Sequence, residues 1–133
     1  MENNIIYDIE KRLQGFRYTL KDGDKWLIDF VKEKIENSIK LDCNISEIPN
    51  ELYNIEVDMI VGEFLFTKKN MGQLDIESIN FEAVEKSISE GDTKVDFAIG
   101  SGSQTPEQRF DTLINYLMTY GKKKILNFRC LRW

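Results

Sequence analysis

Carboxylates are the groups best supplied for acid–base chemistry in this sequence, which contains no histidine. They come in close pairs: Asp22 with Asp24, Glu33 with Glu36, Glu56 with Asp58, and Glu82 with Glu85. Such pairs can act as general acid and base, or hold a cation. They equally suit solvated faces of helices and turns, and that is the reading adopted for all four. Glu63 differs because it interrupts an apolar run, and it reads as the salt-bridge partner of a lysine or of a neighbouring subunit. The missing imidazole removes the commonest general base and every triad built on it. Cys43 and Cys130 have no CxxC partner, so a structural zinc site is not expected. Gly100-Ser101-Gly102 lacks the third glycine of a dinucleotide fingerprint. Asp22-Gly23-Asp24 is too short for a calcium loop and reads as a turn followed by an N-cap at Asp24. The sequence therefore points to no catalytic residue, no cofactor and no metal, and to a protein that is not an enzyme.

What remains is the C-terminus. All 23 acidic residues lie at or before Asp111, while five of the 18 basic ones (Lys122, Lys123, Lys124, Arg129, Arg132) fall in the last thirteen positions. The first 120 residues carry 13 − 23 = −10 and the tail +5. Chain ends are usually polar and frayed, yet this one interleaves Ile125, Leu126, Phe128, Leu131 and Trp133 with its cations. Two readings stand. The tail folds back on its own core, or it docks on a partner through Lys122, Lys123, Lys124, Phe128, Arg129, Leu131, Arg132 and Trp133, because Trp, Phe and Arg make interface anchors. Nucleic-acid binding by this tail is disfavoured, since a body at −10 repels a polyanion.

These residues need elements to position them, and 133 residues suffice for one domain with its own core. No window approaches the 18 apolar residues of a membrane span. Met1-Glu2-Asn3-Asn4 lacks the basic start of a signal peptide. A cytosolic origin with reduced thiols is expected. Ile5, Ile9, Leu13 and Phe16 mark one face of a first helix, capped by Asn3 or Asn4 and ending near Gly15. Leu27, Ile28, Val31, Ile35 and Ile39 mark a second, its stripe widened by Trp26 and Phe30. Pro49 suits the first turn of a third helix. Between Leu52 and Phe66 that helix is apolar on nearly every face, and Lys68, Lys69 and Gly72 read as its stop.

After Gly72 the period changes. Val84, Lys86 and Ile88, then Val95, Phe97 and Ile99, alternate with polar or small residues around the turn cluster Ser89-Glu90-Gly91-Asp92-Thr93. This predicts a β-hairpin over about 84–99. Its residues Ile88, Glu90, Asp92, Lys94, Val95 and Phe97 are candidates for contact between subunits. Residues 75–83 fit a short helix or a loop, and Gly100-Ser101-Gly102-Ser103 reads as a linker. Thr105-Pro106-Glu107-Gln108 places a hydroxyl at N-cap, proline at N1 and glutamine at N3. Phe110, Leu113, Ile114, Leu117 and Met118 follow at helical spacing, and Gly121 reads as the stop. The fold class is mainly α: a bundle of about four helices spanning residues 3–120, with an inserted hairpin and an extended docking tail over 121–133.

In this order the elements resemble the head–tail connector (adaptor, or head completion) proteins of tailed bacteriophages and prophages, especially those of Gram-positive hosts. The likeness runs from Asp24 to Trp133. It rests on Ile48-Pro49 and Leu52, on Ser87 to Phe97 in the hairpin, on Thr105-Pro106, and on Arg129-Cys130-Leu131-Arg132-Trp133. The resemblance implies a ring of copies, typically twelve, beneath the portal protein. It implies a C-terminal segment that reaches the portal, contact with the next neck or tail-terminator protein, and DNA that passes through without specific binding. Location in the virion neck, after assembly in the host cytoplasm, follows from the same resemblance. An acidic body fits independently, because carboxylates do not adhere to passing phosphates. The alternatives are another neck or tail-completion protein, or a small cytosolic regulatory or nucleic-acid-binding module using the basic tail.

Overall fold

Helix α1 (Glu2–Gly15) buries Ile5, Ile9 and Leu13, as their spacing predicts, and Phe16 just beyond it. The computed structural model describes residues 2–74 and 105–129. The expected hairpin at 84–99 with its six candidate residues, the segment 75–83, the linker 100–103, and the tail residues Cys130, Leu131, Arg132 and Trp133 lie outside the described residues. Among the described residues the architecture is a helical bundle, and no strand occurs. After α1 come α2 (Asp24–Cys43), a 3-10 turn (Asn50–Leu52), α3 (Tyr53–Asn70), α4 (Pro106–Thr119) and the short α5 (Lys122–Asn127).

The first three helices end in the same way. Beyond α1, Arg17 takes a left-handed conformation; its N–H donates to Gln14 O and that of Tyr18 to Leu13 O. Asn44 does the same after α2, with Ile45 N–H reaching Lys40 O, and Gly72 after α3, with Gln73 N–H reaching Lys68 O. Each pair of bonds closes carbonyls that a helix end leaves open and reverses the chain sharply. The sequence signalled this at Gly72. At Arg17 and Asn44 residues with side chains accept the strained conformation.

Helix α3 is the centre, packed against α1, α2 and α4. Its residues from Ile55 to Gly62 are all buried, as its apolar faces predict. Gly62 explains how close α4 comes: a Cβ there would lie 3.0 Å from Leu117 Cβ and 3.2 Å from Met118 Sδ. Helix α4 supplies Phe110, Leu113, Ile114 and Leu117 to the core. Its start is the expected reciprocal cap. Gln108 N–H donates to Thr105 Oγ1 at 3.2 Å, and Thr105 N–H donates to Gln108 Oε1 at 3.0 Å.

Five expectations need correction. Asn3 and Asn4 do not cap α1, which begins at Glu2 and includes both. Asp24 does not cap α2: Gly23 holds the cap position in a left-handed conformation, with no side-chain cap bond, and the Asp24 side chain turns into the core. Pro49 precedes the 3-10 turn, so α3 starts later than its proline suggests. Trp26 and Phe30 do not widen the buried stripe of α2; they stand on the opposite pole, 70% and 55% exposed. An extended tail from Gly121 is also not what forms. Gly121 stays helical in conformation and joins α4 to α5. Helix α5 then packs on α2 through buried Ile125, whose carbonyl accepts from Cys43 Sγ at 3.0 Å. The first half of the tail thus belongs to the core, because an apolar Ile125 with a closed backbone is better buried than extended in water.

Gly121 permits that docking, since a Cβ there would lie 2.4 Å from Ile55 Cγ2. Gly121→Ala is therefore expected to destabilise the fold by about 1–3 kcal/mol. Gly15→Ala, where nothing lies within 4 Å, should gain about 0.5 kcal/mol from helix propensity. Urea unfolding of the two variants checks both signs. Equal midpoints would contradict the close contact at Ile55.

Candidate partner interface

The C-terminal candidates divide by what the core does with them. Lys122, Lys123, Lys124 and Arg129 are exposed, and Phe128 is half-buried against the core cluster. Helix α5 presents its three lysines from a base fixed by Ile125 and by the Cys43 contact. They come one glycine after Tyr120, the C-cap of α4, and fill the first half of the six-residue α5.

The carboxylate pairs also divide. Asp22 and Glu33 are exposed, as expected of solvated faces. Glu56 and Asp58 are not: they are 5% and 8% exposed on the interior helix. The apolar pattern of α3 gives no polar face, so nothing in the spacing separates them from surface acids. Asp58 is matched from two directions. Arg12 of α1 forms an ion pair with it (Nε to Oδ1, 2.9 Å), and Tyr120 donates its hydroxyl to Oδ2 at 2.6 Å. Burial, then the Asp58 charge, raises the Tyr120 hydroxyl well above its ordinary value. Asp8, one turn before Arg12 on α1, accepts from the Tyr53 hydroxyl. Glu63 meets Lys34 at 2.7 Å, the lysine partner that its position suggested.

Asp24 carries the deepest ion pair. Its carboxylate, 1% exposed, accepts from Lys68 Nζ at 2.8 Å, from Tyr18 Oη at 2.6 Å and from Lys21 N–H at 2.8 Å. Lys68 also donates to Gln73 Oε1 at 2.6 Å. Burial alone would raise the Asp24 carboxyl, but the hydrogen bonds from Lys68 and Tyr18 outweigh it and hold it below its ordinary value. This pair ties the start of α2 to the end of α3. Breaking one side of such a pair costs about 3–5 kcal/mol, because the other charge stays buried.

Glu56 has a different answer. Its Oε2 is buried and meets no hydrogen-bond donor, and its neighbour is the carboxyl of Glu36 on α2. Burial first, then Glu36, pushes the Glu56 carboxyl up to about 8, against a partial pull downward from Lys32 and Lys40. Lys32 in turn pairs with Glu36 at 3.3 Å. A proton on Glu56, donated to Glu36, satisfies both carboxyls at neutral pH. Among the described residues no three His, Cys, Asp or Glu side chains come together as a metal site. An open hollow of about 470 Å³ at the end of α2, lined by Asn37, Lys40, Leu41, Asn44, Ile45 and Ser46, has Lys40 as its one titratable group. The arrangement offers matched pairs that fix helix register, and surfaces for a partner.

The exposed aromatic pair is the feature that the sequence reading missed. Trp26 and Phe30 stack at 5.6 Å with their planes 16° apart. The available signal was their position on the wheel, opposite Ile28, Val31 and Ile35. Among the described residues no helix is long and apolar enough to cross a membrane.

The two shifted carboxyls act on stability with opposite signs. Glu56 keeps its proton in the folded chain between 4.5 and about 8, where the unfolded chain has released it. Its contribution is complete below 4.5 and is lost as pH rises through about 8. The Asp24 contribution is present above its ordinary 3.8 and lost as pH falls through its lowered folded value. Stability from this pair of groups is expected to peak near about pH 4–5. Thermal melting should fall from pH 5.5 to pH 8.5. Glu56→Gln, which keeps a donor toward Glu36, should flatten that slope and raise the melting point at pH 8.5. An unchanged slope in the variant would refute the shared proton.

Compared with family models, curated proteins and solved structures, the chain matches none of them.

Proposed function

We propose that this chain is a structural adaptor of a bacteriophage neck. Copies sit in a ring beneath the portal protein, extend the DNA channel, and meet the next neck or tail-terminator protein on the far side. The reading takes its specific form from the sequence resemblance described above. The observation that carries it is the C-terminal end: Lys122, Lys123 and Lys124 stand exposed on a helix clamped to the core by Ile125, and Arg129 is exposed just beyond it. A docking segment works best when its base is rigid, because less ordering entropy is lost on binding. Here the base is part of the bundle, and among the residues that follow it Arg132 and Trp133 are of types that make interface anchors. The DNA inside such a channel meets a body at −10, which favours passage over adhesion. The chain has no catalytic step in this role.

Truncation at residue 121 is a poor test, since it removes Ile125 from the core. Substitution past the docked helix is cleaner. Arg129→Glu with Arg132→Glu and Trp133→Ala is expected to weaken decoration of purified portal rings by roughly tenfold or more, with the melting temperature unchanged. Parental affinity in that variant would show that the segment is not the anchor. A salt-sensitive gel shift with duplex DNA, lost in the same variant, would instead support a nucleic-acid-binding module.

A further inference from the structure

Helix α2 carries a second stripe besides its buried one. Trp26, Asp29, Phe30 and Glu33 follow at i, i+3, i+4 and i+7, so they share one face, and all four are exposed. The two aromatic rings are stacked on each other rather than on the core. The acids at 29 and 33 border them. Lys25 is also exposed nearby, and Lys34 is engaged by Glu63 at 2.7 Å. This half of α2 is therefore an apolar shoulder bordered by two negative charges.

The opposite end of the same helix carries the complement. Helix α5 rests against α2 at Cys43 and exposes Lys122, Lys123, Lys124 and the apolar Leu126, with Arg129 just beyond. Glu33 and Cys43 are ten residues apart on α2, about 15 Å along the axis. With Ile125 buried and its carbonyl bonded to Cys43, α5 is held at the far end. The basic end and the acidic shoulder of one copy stay apart, so the complement is available to a second copy.

From this complementarity we infer that copies of the chain associate head to tail. The lysine face of α5 in one copy docks on the Trp26–Phe30 shoulder of the next. The two faces differ, so the contact is heterologous: it repeats around a ring when the rotation closes, and along a filament when it does not. Trp26 and Phe30 supply the desolvated centre and the lysines a charged rim facing Asp29 and Glu33. The inference rests on the assembly reading above, to which it adds the surfaces through which copies meet. It uses the three lysines of α5, on which the portal reading also draws, whereas the portal test above changes only residues after α5.

A charge exchange tests it in the absence of portal. The parent chain should self-associate in sedimentation velocity at low salt and less at high salt. Asp29→Lys/Glu33→Lys and Lys122→Glu/Lys123→Glu/Lys124→Glu, all at exposed positions, should each lose about tenfold or more in self-affinity. Mixed in equal amounts, each variant presents what the other lacks, and association should return. Trp26→Ser should weaken the parent at every salt concentration. A parent that stays monomeric at low salt and high concentration overturns the inference, as do variants that associate like the parent or a mixture no better than its components. Any of those results leaves portal binding by residues 129–133 standing. A loss of portal binding in the Arg129/Arg132/Trp133 variant leaves the contact between copies standing.

Discussion

Helix α3 is enclosed by three other helices and still carries Glu56, Asp58, Glu63 and Lys68. Polar groups on an enclosed helix need partners, and each of these four meets one on a neighbour. Arg12 comes from α1, Glu36 and Lys34 from α2, Asp24 from the start of α2, and Tyr120 from the end of α4. These five partners add polar contacts at separate heights along α3 to the register set by apolar packing. The close contact at Gly62 then sets how near α4 lies.

Much of this bundle is legible in the sequence, and the limits have physical causes. The stripes of α1, α2 and α4 are visible because each has a solvated side. The cap at Thr105 is visible because both partners lie within four residues. Asp24 looked like an N-cap since it follows a Gly-containing turn; its partner Lys68 lies 44 residues away. Glu56 and Asp58 looked solvated because a helix apolar all round offers no reference face. Gly121 reads as a helix stop, and α4 does end just before it, but its close approach to Ile55 depends on a residue far off in sequence. The candidate site was half legible. The cations were evident from composition, whereas their display on a docked helix, and the shoulder formed by Trp26 and Phe30, depend on which pole of a helix meets the core.

The link from this core to a function runs through α5. Because α3 holds α2 in register, Cys43 and Ile55 stand where Ile125 and Gly121 need them. Because α5 is docked, its three lysines are exposed on an element fixed to the core. The molecule thereby keeps a basic end and an acidic aromatic shoulder on one rigid frame.

Electron microscopy of the protein mixed with portal rings tests the central claim most directly. The account predicts a ring of added density on one face of the portal, with the C-terminal end of each copy at the contact. Portal rings that stay bare at saturating protein would contradict it.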